Sequence, residues 1–250
     1  MDHDVVLWLI PLFFLAALMY SSVGHGGAST YLAIFGLFGF AHTDIVPTVL
    51  VLNLLVSGLA FINYYRAGHF RWRLLAPFII ASIPAAYVGG ALQISPETFS
   101  LLLGMTLLAA ALRFLLPRPI PVMADLTPAR LYSIGLPVGL LLGFMAGLLG
   151  IGGGIFLSPL LLMLGWADAK KTAALSAAFI FLNSGAGLLA QTAKVAPDWN
   201  LTGLLAVAVL AGGAVGSYSG AFRLSTPVLL RILAVVLFLA GLKLVGQAWV

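Results

Sequence analysis

The chain has no cysteine and few charges, and the residues able to do chemistry gather around two glycine clusters. The first is Gly24-His25-Gly26-Gly27, closely preceded by Ser22. The second is Gly150-Ile151-Gly152-Gly153-Gly154. Each lies between two apolar runs. Glycine is costly in a helix interior, so each cluster is expected to break a helix. The helix that restarts after such a break presents unpaired backbone N–H groups and the positive end of its dipole. That combination suits an anion. The competing reading is structural, with small residues letting helices pack closely.

Polar side chains extend the pattern. Asn53 and Ser57 are four apart and share a helix face; Ser176 and Asn183 are seven apart and also share one, with Ser184 following directly. Amide and hydroxyl donors suit an oxyanion, although buried Asn and Ser also serve as hydrogen-bonding links between helices. His25 can donate to an oxyanion or carry a proton near neutral pH. Ile151 takes its place in the second cluster, so any role for it is asymmetric. Ser21 and Ser22 stand close to His25 in sequence, but adjacency is not the geometry of a serine hydrolase. The expected substrate-binding set is therefore Ser22, Gly24, His25, Gly26, Gly27, Asn53, Ser57, Gly150, Gly152, Gly153, Gly154, Ser176, Asn183 and Ser184. No catalytic residue, metal or cofactor is implied.

The elements that position these residues follow from composition. Of 250 residues, 62% are hydrophobic and 8% charged, and mean hydropathy is +1.14. A soluble domain carries roughly 25% charged residues, so this chain lacks the polar surface to cover a water-soluble globule. It reads as an all-α polytopic membrane protein surrounded by lipid. The alternation of an outer-membrane barrel is absent. The net charge of +5 reads as a loop bias that sets orientation, not as a nucleic-acid footprint. The first residues lack the basic region of a cleavable signal, so the first apolar run is expected to be retained as a helix.

About ten segments are expected: residues 5–22, 28–40, 45–64, 74–92 and 98–116, then 131–149, 155–165, 172–193, 201–221 and 228–248. The least apolar linker, 117–130, divides a first repeat (1–116) from a second (131–250). Segments two and seven are short for a crossing, which needs about 20 apolar residues; if they are re-entrant, the crossings fall to eight. The halves match in order. The glycine clusters lie 126 positions apart, Ser57-Gly58 and Ser184-Gly185 lie 127 apart, and Ala81, Ala85 and Gly89 match Ala208, Gly212 and Gly216 at the same 127. Ladders of small residues at Gly135, Gly139, Gly143 and Gly147, and at Gly212, Gly216 and Gly220, read as packing surfaces.

Five crossings per repeat make the repeats inverted. With the N-terminus on the non-cytoplasmic side, ten crossings put Arg66, Arg71, Arg73, Arg113, Arg118, Arg130, Lys170, Lys171, Arg223 and Arg231 inside and only Lys194 and Lys243 outside. That is the distribution the positive-inside rule requires, and it returns the C-terminus to the non-cytoplasmic side. All seven acids, Asp2, Asp4, Asp44, Glu97, Asp125, Asp168 and Asp198, fall at segment ends or in loops. A core free of carboxylates suits an anionic or neutral substrate. Two half-helices entering from opposite faces make a midplane anion site of the kind found in inverted-repeat transporters. No nucleotide-binding P-loop is present, so energy comes from a gradient or a separate subunit.

The stretches Ser21-Ser22-Val23-Gly24-His25-Gly26-Gly27 and Gly147-Leu148-Leu149-Gly150-Ile151-Gly152-Gly153-Gly154, followed by Pro159 and Ala173 to Ser176, resemble the sulfite exporter TauE/SafE family of membrane transporters. The duplicated plan extends the resemblance over the whole chain. It implies a secondary transporter in a bacterial cytoplasmic (inner) membrane, moving sulfite, an organosulfonate or thiosulfate by alternating access. An anion channel of the same architecture is the alternative. Direction, proton or sodium coupling and homo-oligomer formation are left open.

Overall fold

A computed structural model describes residues 3–92, 101, 104–105, 107–108, 111–112 and 127–247. Most of segment five and most of the linker lie outside the described residues. Within them the fold is helical, with α1 (His3–Ser21), α2 (Ala28–Leu37), α3 (His42–Arg66), α4 (Trp72–Ala91), α5 (Pro128–Leu149), α6 (Gly154–Met163), α7 (Ala169–Thr192), α8 (Trp199–Tyr218) and α9 (Thr226–Gln247). A short π-helical turn, Ser219–Arg223, closes α8. No strand occurs among the described residues.

Local chemistry explains the helix ends. Thr127 caps α5, with Pro128 in the first turn where its missing N–H costs nothing. Asp168 caps α7 by accepting from Lys171 N at 2.9 Å. Asp198 caps α8 by accepting from Asn200 N and Leu201 N, both at 3.0 Å. Two of the acids at segment ends, Asp168 and Asp198, are thus helix caps. Two lysines act at the opposite pole: Lys194 Nζ donates to Gly90 O at the end of α4, and Lys170 Nζ to Ala221 O in the π-turn. Cations at helix C-termini are favoured by the dipole.

Six described helices are long and apolar enough to cross a membrane: α3, α4, α5, α7, α8 with its π-turn, and α9. The short segments are shorter still than their hydropathy predicts. α2 and α6 have 10 residues each, about 15 Å at the helical rise, against a hydrocarbon core of about 30 Å. Each is about half that thickness in length.

Packing follows the small residues. α1 packs on α8, α4 on α5, and α3 on α7; α4 also meets α7, and α3 meets α8. Exchanging each helix for its partner at the 126–127 spacing maps this set of contacts onto itself. The glycine ladder of α5 lies against the backbone of α4 at Phe78, Ser82 and Ala86, and that of α8 against α1 at Phe14 and Leu18, continued by Gly220 of the π-turn against Ser22. A Cβ on Gly89 would strike Phe144 O, and one on Gly216 would strike Leu18 O. Those two contacts correspond across the halves. α7 and α3 are the most enclosed of the long helices, so the polar residues they carry are held at the centre.

Candidate functional site

The two glycine clusters fold alike. His25 N donates to Tyr20 O at 2.8 Å, and Ile151 N to Ala146 O at 3.2 Å; Tyr31 N donates to Gly27 O, and Leu157 N to Gly153 O. Each bond recurs 126 positions later. Gly27 (φ 100°) and Gly153 (φ 75°) precede α2 and α6 in the left-handed region, which side chains other than glycine rarely enter. So the first glycine of each cluster ends one helix and a later one starts a half-length helix. The far ends match too, with Phe40 N on Phe35 O and Trp166 N on Leu161 O.

The two loops meet through His25. The imidazole is 1% exposed, and its Nε2 lies 3.2 Å from Gly154 O, at the start of α6. Ser158 Oγ is 3.0 Å from the same nitrogen and 2.7 Å from Ser176 Oγ. Nδ1 is buried and has no hydrogen-bond partner. The serine that His25 meets is therefore Ser158 and not Ser21 or Ser22, and the next group in line is a hydroxyl rather than the carboxylate of a catalytic triad.

Asn53 makes the second link. Its Oδ1 accepts from Ala28 N at 3.1 Å, at the start of α2, and its Nδ2 donates to Ser184 Oγ on α7 at 2.7 Å. Gly26 and Gly152 lie against this amide, where a Cβ on either would collide with it. The first N–H of α2 is thus occupied by a side-chain oxygen, and an anion arriving there must displace it. Between the loops is a cavity of about 10 Å³, lined by Tyr20, His25, Gly26, Gly27, Ala28, Ser29, Asn53, Ile151, Ile155 and Ile180. That is room for about one water. A larger groove of about 500 Å³ opens beside Asn63, Tyr218 and Arg223 and shares no lining residue with it.

The expected residues divide into three groups. His25, Gly26, Gly27 and Asn53 line the cavity, and Gly152, Gly154, Ser176 and Ser184 are tied to them. Gly24, Gly150 and Gly153 shape the loops against Ala173, Val46 and Ala146. Ser57 and Asn183 bond within their own helices, Ser57 Oγ to Asn53 O and Asn183 Nδ2 to Phe179 O, and Ser22 Oγ bonds back to Met19 O in the last turn of α1. The Ser22 carbonyl accepts from Tyr64 OH on α3, apart from the cavity. Asn183 Oδ1 is buried without a partner.

Sequence reasoning missed two side chains. Ser158 is the one polar side chain of α6 and stands beside Pro159, which is signal enough to have singled it out. Tyr20 OH accepts from Ser29 Oγ at 3.2 Å and Thr30 Oγ1 at 2.7 Å; nothing in its sequence neighbourhood distinguishes it from a packing tyrosine.

With the half-helices and their contacts in place, comparison with known proteins decides the class. The profile of the sulfite exporter TauE/SafE family matches residues 9–244. The chain belongs to that family. It is 35% identical over 248 residues to the probable membrane transporter protein y4hK of Sinorhizobium fredii, covering 98% of this chain and 99% of the relative. It is 27% identical over 224 residues to the probable membrane transporter protein YunE of Bacillus subtilis, covering 80% and 78%. No solved structure matches it. The chain is a multi-pass membrane transporter of the TauE/SafE type, and the paired glycine loops lie inside the matched region.

Proposed function

We propose that this transporter is a secondary carrier of a small sulfur-containing anion, sulfite, an organosulfonate or thiosulfate, across a bacterial cytoplasmic membrane. The substrate binds between the two glycine loops, and two inverted five-segment repeats rock against one another to expose it alternately. The observation that carries the reading is the contact of His25 with Gly154 O across the loops. It brings the starts of two half-length helices together at one buried point. Their dipoles and N–H groups favour negative charge there.

Two further observations support the choice of an anion and of a carrier. Among the described residues the buried polar side chains are Ser, Thr, Asn and His25, with no carboxylate. An anion entering this site meets donors and no like charge. The cavity holds about one water, so the loops must part to admit a sulfonate. A site that is closed between openings is what alternating access requires, whereas a channel needs a continuous pore.

A thermal-shift screen with sulfite, sulfate, thiosulfate, sulfoacetate and halides tests the ligand. A ligand at 100 times its Kd stabilises the folded state by about 2.7 kcal/mol, and the sulfur anions should do so while halides do not. Counterflow in proteoliposomes tests the mechanism. Trans-acceleration of labelled sulfite or sulfonate is expected; ohmic anion current without it points to a channel instead.

A further inference from the structure

We propose that His25 is the proton site of the transport cycle: its Nδ1 takes a proton when the anion enters the cavity beside it, and the two cross together. This rests on reading the cavity between the glycine loops as the anion site.

The geometry sets the tautomer. Nε2 faces Gly154 O at 3.2 Å. A carbonyl oxygen only accepts, so Nε2 carries a hydrogen and the lone pair of the neutral ring is on Nδ1. Ser158 Oγ at 3.0 Å, backed by Ser176 Oγ, holds the same side of the ring. The imidazole is therefore anchored by one nitrogen while the other is buried with no partner, on a side chain that lines the cavity. A buried basic nitrogen without a partner is the atom in this site that can accept a proton. The proton comes from water on the side the anion enters and bonds to the Nδ1 lone pair. No covalent bond breaks, and the proton returns to water on the opposite side as the anion leaves.

The surroundings make the two events depend on each other. The ring of Tyr20 from α1 stands nearly perpendicular to that of His25, 6.4 Å between centroids. α2 contributes Ala28 and Ser29, with Tyr31 behind Gly27; α3 contributes Asn53; α6 contributes Ser158; α7 contributes Ser176 and Ile180. Tyr20 and Tyr31 are the other titratable groups here, and neither is charged at neutral pH. An imidazolium at this position has no counter-charge from these elements, and a buried anion has none either. Burying either charge alone is costly, and burying them as a pair is less so. Anion binding then promotes protonation and protonation promotes anion binding by the same factor.

The test uses the purified full-length protein with thiosulfate and sulfoacetate, neither of which takes up a proton near neutral pH. Proton uptake on binding is read by calorimetry in two buffers of different ionisation enthalpy, at mildly alkaline pH. Close to one proton per bound anion is expected for the wild type and none for His25→Gln. In proteoliposomes an inward proton gradient should accelerate wild-type uptake and leave His25→Gln unaffected. Anion binding without proton uptake, or uptake of the proton retained in His25→Gln, overturns the assignment. If neither probe binds the wild type, the anion site itself is misplaced and the proposal falls with it. If His25→Gln does not fold, wild-type affinity decides: one coupled proton weakens binding up to about tenfold per pH unit on the alkaline side, and a flat profile overturns the proposal.

Discussion

Asn53 on α3 and Ser184 on α7 are joined Nδ2 to Oγ at 2.7 Å, across 131 positions of sequence. The other end of the same amide accepts Ala28 N. One side chain therefore ties the two most enclosed helices to the start of a half-length helix. Asn53→Ala leaves Ala28 N–H and Ser184 Oγ buried without these partners, at about 1–3 kcal/mol for a lost buried bond. The half-saturation concentration for the transported anion should rise at least about tenfold, which is about 1.4 kcal/mol. Asn53→Asp keeps the acceptor for Ala28 but puts negative charge where the anion enters. Wild-type uptake by Asn53→Asp would show that the anion does not come here.

Asn183 offers a contrast. Its Nδ2 bonds to Phe179 O in its own helix, and its Oδ1 has no partner. It does not line the cavity. Removing an amide whose oxygen is already unpaired forfeits less than removing a fully bonded one. Asn183→Ala should therefore lower anion affinity less than Asn53→Ala does, by several-fold in a side-by-side uptake titration. Equal loss in both would bring Asn183 to the substrate.

Gly153→Ala tests the loop geometry. The residue has φ 75°, and an added Cβ would lie 2.8 Å from the Ala146 Cβ. The left-handed conformation alone costs a non-glycine residue about 1–2 kcal/mol. The melting temperature in detergent should fall, and transport should fall further because α6 restarts from this residue. Unchanged uptake would mean that the start of α6 can shift without consequence for binding.

Two glycines of α8 separate packing from propensity. A Cβ on Gly216 would strike Leu18 O and Ser21 Oγ, while Gly203 has nothing within 4 Å. Gly216→Ala should force α1 and α8 apart and sharply reduce the yield of folded protein. Gly203→Ala should raise stability by about 0.5–1 kcal/mol, the ordinary preference of a helix for alanine. Both are read from thermal melts of matched preparations.

Asp168 connects helix capping to pH. Burial alone would raise its carboxyl, but the Lys171 N–H and ammonium outweigh that and hold it below the ordinary carboxylate range. A lowered folded value means that its contribution is present above the unfolded value and is lost as pH falls through the folded one. The side chain is 40% exposed, so the ion pair with Lys171 is worth little and the cap is the larger effect. Asp168→Ala should cost about 1 kcal/mol at neutral pH, with the difference from wild type vanishing in acid. Lys171→Ala, which keeps the backbone N–H, should be nearly neutral.

The elements themselves were legible in the amino-acid order. Hydropathy and glycine placement marked the helix breaks, and the observed α1 to α4 and α5 to α9 begin and end within a few residues of expectation. The reason is local: helix length depends on apolar runs, and helix ends on caps such as Thr127, Asp168 and Asp198. The small-residue ladders also declared their use, because only a residue without a bulky side chain allows backbones to touch. The partners of the polar residues were not legible. Ser57 and Ser184 occupy matching places in the two halves, yet Ser57 bonds to its own helix and Ser184 to Asn53. His25 finds Gly154 and Ser158 at separations of 129 and 133 residues. In helices apolar on every face, hydropathy cannot say which face turns inward. The close approach of α1 to α8 and of α4 to α5 decides that. With those packings made, α3 and α7 are left facing each other, and the two glycine loops are brought together at His25.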